Sequence, residues 1–141
     1  VISQLVLTKQ ASDLNSATIN QMATHQGAST LFDSHVEQLR AVYGRRRDAM
    51  LEALDRFMPE GVTWTRPEGG MFVWLTLPEG ADSTALLQRS LAEEKVAFVP
   101  GSAFFADGTG RNTLRLSFSN SSESVITEGM TRLGRLFKSA L

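Results

Sequence analysis

The feature that most limits what this chain can fold into is the alternation in Asn112-Thr-Leu-Arg-Leu-Ser-Phe-Ser-Asn120. Leu114, Leu116 and Phe118 fall on one parity, and Thr113, Arg115, Ser117 and Ser119 on the other. A period of two is that of a β-strand with one face in a core. Arg115 therefore stands mid-strand, on the face away from the leucines. A strand holds a side chain more rigidly than a loop, and a fixed guanidinium flanked by hydroxyls suits a carboxylate gripped through two parallel hydrogen bonds. An arginine on the wet face of an antiparallel sheet is also commonplace, so this strand alone leaves both readings open.

The rest of the chain supplies helices and further short strands. Ile2, Leu5 and Val6 keep helical spacing to about Ala11, and Ser12–Ser16 reads as a break. A second helix follows, capped by Asn15 or Ser16 and ended by Gly27. The longest helix starts at Ser29 or Thr30 and runs to about Met58, where Pro59 and Gly61 stop it. Its apolar stripe is Val36, Leu39, Tyr43, Met50, Leu54 and Phe57. The stripe is interrupted at Arg46 or Arg47, where an arginine can snorkel from a packed seam or face another domain. Val62–Arg66 reads as a short strand and Pro67-Glu-Gly-Gly70 as a turn. Met71–Leu77, apolar on both faces, reads as a central strand covered on both sides. Asp82 or Ser83 caps a helix to about Glu94, Val96–Val99 is a short strand, and Asn120 with Glu123 opens a last helix with Val125, Ile126, Met130, Leu133 and Phe137 on one stripe. The fold class expected is α+β, a small three- to four-stranded mixed sheet covered by helices and preceded by long helices.

Composition narrows the function. A net charge of -1 and a pI of about 6.1 speak against a nucleic-acid binder, although Phe72 and Trp74 could offer a stacking face to RNA. There is no cysteine, which excludes disulfides and thiolate metal sites. No apolar run approaches the roughly 18 residues of a membrane span, no signal peptide is visible, and a cytoplasmic protein is expected. Motifs for phosphate-binding loops, dinucleotide folds, zinc proteases and serine hydrolases are missing. His25 and His35 have no carboxylate in local register, and none of Lys9, Lys95 and Lys138 stands in an obviously dry setting. Gly69-Gly70 and Pro100-Gly101 allow positive φ and close approach of the backbone to another group.

Three segments together are specific: Pro67-Glu-Gly-Gly-Met-Phe-Val-Trp74, Val99-Pro-Gly-Ser-Ala-Phe104 and Asn112-Thr-Leu-Arg-Leu-Ser-Phe118. In that order and spacing they resemble the C-terminal small domain of class I/II, fold-type I, pyridoxal 5′-phosphate-dependent aminotransferases. Leu39–Asp48 and Lys9–Asp13 resemble the same family, whose aminoadipate, kynurenine and aromatic group is nearest in flavour. The resemblance implies that Arg115 binds the α-carboxylate of the substrate. It implies that Gly69 and Gly70 lie beside the substrate side chain and that Ser102 lines the approach. It also implies a Schiff-base lysine upstream of Val1, with Lys9 in the helix that follows it. Residues 1–30 are then a helical segment continuing from a missing large domain, and 31–141 the small domain. The implied parent is a homodimer that moves an amino group between L-amino acids and 2-oxo acids. The isolated chain is expected to be inactive and to expose apolar surface around Ile2, Leu5 and Val6. Other readings of the same residues are the ligand-sensing body of an aminotransferase-like transcription regulator and a non-catalytic small-ligand module.

Overall fold

A helix of many residues needs either a packed face or favourable ends, and the helices of this chain differ in which they have. A computed structural model describes all 141 residues. It contains helices α1 (Ile2–Ser12), α2 (Thr18–Thr30), α3 (Phe32–Phe57), α4 (Ser83–Arg89) and α5 (Glu123–Ala140). Its strands are β1 (Thr63–Trp64), β2 (Phe72–Thr76), β3 (Val99–Pro100) and β4 (Thr113–Ser117). The chain divides into two units, Val1–Arg40 and Ala41–Leu141. No helix is long and apolar enough to cross a membrane.

In Val1–Arg40, α1 and α2 bury no residue. The break between them is where the sequence puts it, but the cap is not. Asp13 gathers the Asn15 N–H at 3.1 Å, the Ser16 hydroxyl at 2.8 Å and the Lys9 ammonium at 3.0 Å. The Ser16 hydroxyl is thus spent on the loop, Asn15 gives it a backbone N–H, and α2 begins only after Ala17, without a side-chain cap. Gly27 does not end α2, which runs on to Thr30, so α3 starts at Phe32 rather than Ser29.

Ala41–Leu141 is the α+β unit. Its sheet has the order β1-β2-β4-β3, and every pairing is antiparallel. The expected mixed character is not present, for a topological reason. β2 and β3 are joined through a helix and run in the same direction, but β4 is inserted between them and pairs with both. The register sets Val73 against Leu116 and Leu75 against Leu114, so these four share a face. That face is buried in one cluster with Met50 and Leu54 of α3 and Ile126, Met130, Leu133 and Phe137 of α5. Each such side chain contributes about 1.5–3 kcal/mol by leaving water. The helices come close enough that a Cβ on Gly134 would lie 2.5 Å from the Phe57 carbonyl oxygen. Val125, expected on the α5 stripe, is exposed.

The ends of the elements follow from their caps. Asp82 accepts the N–H of Thr84 at 2.9 Å and of Ala85 at 3.3 Å and starts α4 as expected. α5 is capped by Ser122 and not Asn120. After α4, residues Ser90–Glu94 form a π-helical turn that closes at Lys95, whose φ is 58°. Val96 then returns its N–H to the Ser90 carbonyl, and its own carbonyl accepts the Ser90 hydroxyl at 2.7 Å. The start of the expected Val96–Val99 strand is used up in that closure, and only Val99 and Pro100 pair.

Candidate functional site

The second face of the sheet carries the candidate site. The register that buries the leucines places Phe72, Trp74 and Thr76 of β2 beside Thr113, Arg115 and Ser117 of β4. Trp74 stands opposite Arg115 on one side, and Val99 opposite it on the other. This face is not covered as Met71–Leu77 led us to expect, for Phe72 is 40% exposed. The helices that share the buried cluster, α3 and α5, pack on the leucine face.

Arg115 is half-buried, and its guanidinium lies between two rings. Its Cζ is 4.0 Å from the centroid of Phe72 and 4.6 Å from that of Phe104. Cation–π attraction of this kind is worth about 0.5–2 kcal/mol, and it uses none of the N–H donors of the guanidinium. None of the eight ion pairs of the chain involves Arg115. Beside it is a hollow of about 150 Å³ between β2 and β3, lined by Phe72, Phe98, Val99, Arg115 and Ser117.

Phe104 reaches Arg115 because of the turn that carries it. Gly101–Phe104 is a single 3₁₀ turn directly after β3. Gly101 is buried against β4, where a Cβ would fall 1.8 Å from Thr113 Oγ1 and 2.8 Å from the Thr113 carbonyl oxygen. Only glycine allows that approach. The turn then sets Phe104 edge-on to Trp74, with ring centroids 5.5 Å apart. Further on, the loop is tied down where Arg111 pairs with Asp82 at 2.6 Å. That contact, with the N–H groups of Ala85 and Thr84, holds the Asp82 carboxyl below the usual carboxylate range.

The residues singled out in the sequence are distributed as follows. Arg115 is on the outer face, as its parity requires. Gly69 and Gly70 lie in the exposed turn that leads to Phe72, and Ser102 lies in the 3₁₀ turn two residues before Phe104. Of the two glycines only Gly70 has a positive φ, 81°, and Gly69 has nothing near its Cβ position. No cluster of His, Cys, Asp and Glu is placed to hold a metal. His25 and His35 are in Val1–Arg40, on separate hollows of that unit. The lysines are not part of the site either. Lys9 Nζ is bound to Asp13 and Ser16, Lys95 Nζ to the Ala92 carbonyl, and Lys138 belongs to the last turn of α5.

Two features were missed in the sequence. Phe72, Trp74 and Arg115 share a face across two strands, which could have signalled the ring over the guanidinium once the register was known. The arrival of Phe104 had no periodic signal, because a 3₁₀ turn brings it.

Comparison with known proteins identifies the family. The family model for aminotransferase class I and II matches residues 1–133. A 2-aminoadipate transaminase of Thermus thermophilus is 48% identical over 99% of this chain and 35% of its own length. An aromatic-amino-acid aminotransferase of Thermococcus litoralis is 46% identical over 97% of this chain and 33% of its own. Among solved structures, an α-aminoadipate aminotransferase from Thermus thermophilus, complexed with N-(5′-phosphopyridoxyl)-L-leucine, superposes on 98% of this chain with a TM-score of 0.90 and covers 35% of that chain. The present chain thus spans about a third of the length of these relatives.

Proposed function

This chain belongs to the class I and II aminotransferase family, and on that premise we propose that it is the C-terminal part of an enzyme moving an amino group from an L-amino acid to a 2-oxo acid. In this reading Arg115 is the group that receives the substrate carboxylate. The observation that carries it is the guanidinium held between Phe72 and Phe104 with no acid of its own chain to neutralise it. With two rings against the guanidinium, a planar carboxylate is met edge to edge through two N–H donors. Amino donor and 2-oxo acid share an α-carboxylate, so one clamp serves both directions of transfer. It fixes orientation as well as adding affinity. The open aromatic face around it suits the apolar part of a bound molecule. Gly69, Gly70 and Ser102 shape the approach through the two segments that deliver Phe72 and Phe104.

The family depends on pyridoxal 5′-phosphate, which supplies an aldehyde and an electron sink for amino transfer. That aldehyde needs a lysine, and the residues of this chain do not fit the need. Lys9, Lys95 and Lys138 are absent from the lining of the Arg115 hollow. The anchoring lysine and the phosphate-binding groups are therefore assigned to the other two thirds of a longer polypeptide. Residues 1–30 continue from that part, residues 31–141 form the small domain, and the whole acts as a cytoplasmic homodimer. The exposure of Ile2, Leu5 and Val6 supports a covering surface supplied from outside the chain. The chain by itself is inactive in this reading.

The test is Arg115→Ala in the full-length protein. We expect kcat/KM for the amino donor to fall by about 100-fold or more, as when one partner of a desolvated charge pair is removed. Unchanged kinetics would remove Arg115 from the site.

A further inference from the structure

Helix α3 carries three consecutive arginines that reach three different segments. Arg45 pairs with Glu123 in the first turn of α5 at 3.4 Å, with both side chains largely in water. Arg46 donates from Nη1 to the carbonyl of Ser119, two residues past the end of β4. Arg47 donates from Nη1 to the carbonyl of Pro67 at 3.3 Å, while its Nε and Nη2 hold Asp48 Oδ1 at 2.9 and 2.7 Å. Arg46 and Arg47 are half-buried, unlike Arg45.

Pro67 and Ser119 belong to one end of the sheet. The β2–β4 ladder stops at the pair Phe72 and Ser117. Beyond it, the chain arriving at β2 and the chain leaving β4 are joined by the Phe118 N–H and the Met71 carbonyl at 3.1 Å. This end supplies Phe72 and Ser117 to the hollow, and the Phe72 ring covers the Arg115 guanidinium. The entering segment is Pro67-Glu-Gly-Gly70, whose glycines leave the backbone soft. Helix α3 by contrast is fixed to the core by Met50, Ala53 and Leu54. A guanidinium can bind a carbonyl while its other donors engage a neighbour, which an ammonium on a flexible stem does less well.

Building on the carboxylate reading of Arg115, we propose that Arg46 and Arg47 are positioning residues. They fasten the entry to β2 and the exit from β4 to α3, so that Phe72 stays over Arg115 and the guanidinium edge stays aimed for a carboxylate. They touch no substrate; they act through Arg115.

The experiment uses the full-length protein with 2-oxoglutarate as amino acceptor. Arg46→Met and Arg47→Met, singly and together, keep the apolar stems and remove the guanidinium groups. The expected result for the pair is KM raised by about tenfold with kcat changed much less, since misplacement of a binding group by a fraction of an ångström is costly. In an Arg115→Lys background the same pair should change KM by less than about twofold, because the group they position is gone. Arg47→Lys should recover only part of the loss. A fall in Tm with KM unchanged overturns the proposal, and so does an equal change of KM in both backgrounds. If the paired variant does not fold, Arg47→Met alone carries the same comparison through the Pro67 contact. Arg115→Lys separates the two ideas. If it leaves KM unaltered, the carboxylate reading falls and this inference with it. If it raises KM while the methionine variants do not, only this inference falls.

Discussion

The two units of the chain are both rich in apolar residues and use them in opposite ways. In Val1–Arg40, Ile2 is 79% exposed and Ile19 76%, and neither α1 nor α2 buries anything. In Ala41–Leu141, Leu54, Val73, Leu75, Leu114, Leu133 and Phe137 are wholly buried. The difference lies in partners rather than in hydrophobicity. Helices of 11 and 13 residues are marginal in water unless one face is packed. The sheet and α5 of the second unit give each other such a face. Helix α3, which begins in one unit and ends in the other, has all its buried residues between Met50 and Leu54.

This contrast can be broken most directly by truncating one apolar side chain in each unit. Phe137→Ala should cost about 3–5 kcal/mol of unfolding free energy in denaturant titration, whereas Leu5→Ala should stay within about 0.5 kcal/mol. Comparable losses at both positions would mean that the first unit has a core after all. A second, smaller effect sharpens the contrast inside Ala41–Leu141. Gly101→Ala forces a Cβ onto Thr113 and should cost about 1–3 kcal/mol in the same titration, while Gly69→Ala, in open space, should be near neutral. An inert Gly101→Ala would show that the 3₁₀ turn is free to move away from β4. The smallest effect expected is at Asp82. Its folded carboxyl is held below its ordinary value, chiefly by Arg111, so its contribution is full above the unfolded value and is lost as pH falls through the folded one. Asp82→Asn should lower Tm by a few degrees at pH 7, and the gap to the native protein should narrow below about pH 4. A gap independent of pH would assign the loss to capping geometry alone.

Much of the α+β unit was legible because its signals are local. The parity of Leu114, Arg115 and Leu116 assigned their faces, and Asp82 announced the start of α4. Pro67-Glu-Gly-Gly70 and Val99–Phe104 marked the segments that deliver the two rings, though neither ring contact was foreseen. What escaped depends on distant residues. Nothing near β3 says that β4 will pair with it in place of β2, so a mixed sheet was expected where an antiparallel one occurs. The interruption of the α3 stripe at Arg46 and Arg47 was noticed, but their acceptors lie 73 and 20 residues away. Asn15 and Ser16 looked like caps because they are cap-forming residue types, but Asp13 takes the Ser16 hydroxyl and α2 starts later, after Ala17.

The place of β4 has a consequence for how the molecule comes into being. It is the last strand to be synthesised and yet an inner strand of the sheet. β2 has β1 beside it from the start, but its other edge must wait for β4, which lies beyond α4 and β3, and bridging that separation has an entropic cost before any contact offsets it. A nascent chain ending before Thr113 has β1 and β2 to pair, but no seat for Gly101 and no Arg115. The strand that completes the sheet also carries the guanidinium, so a chain that stops short of β4 lacks both the inner strand and the centre of the candidate site.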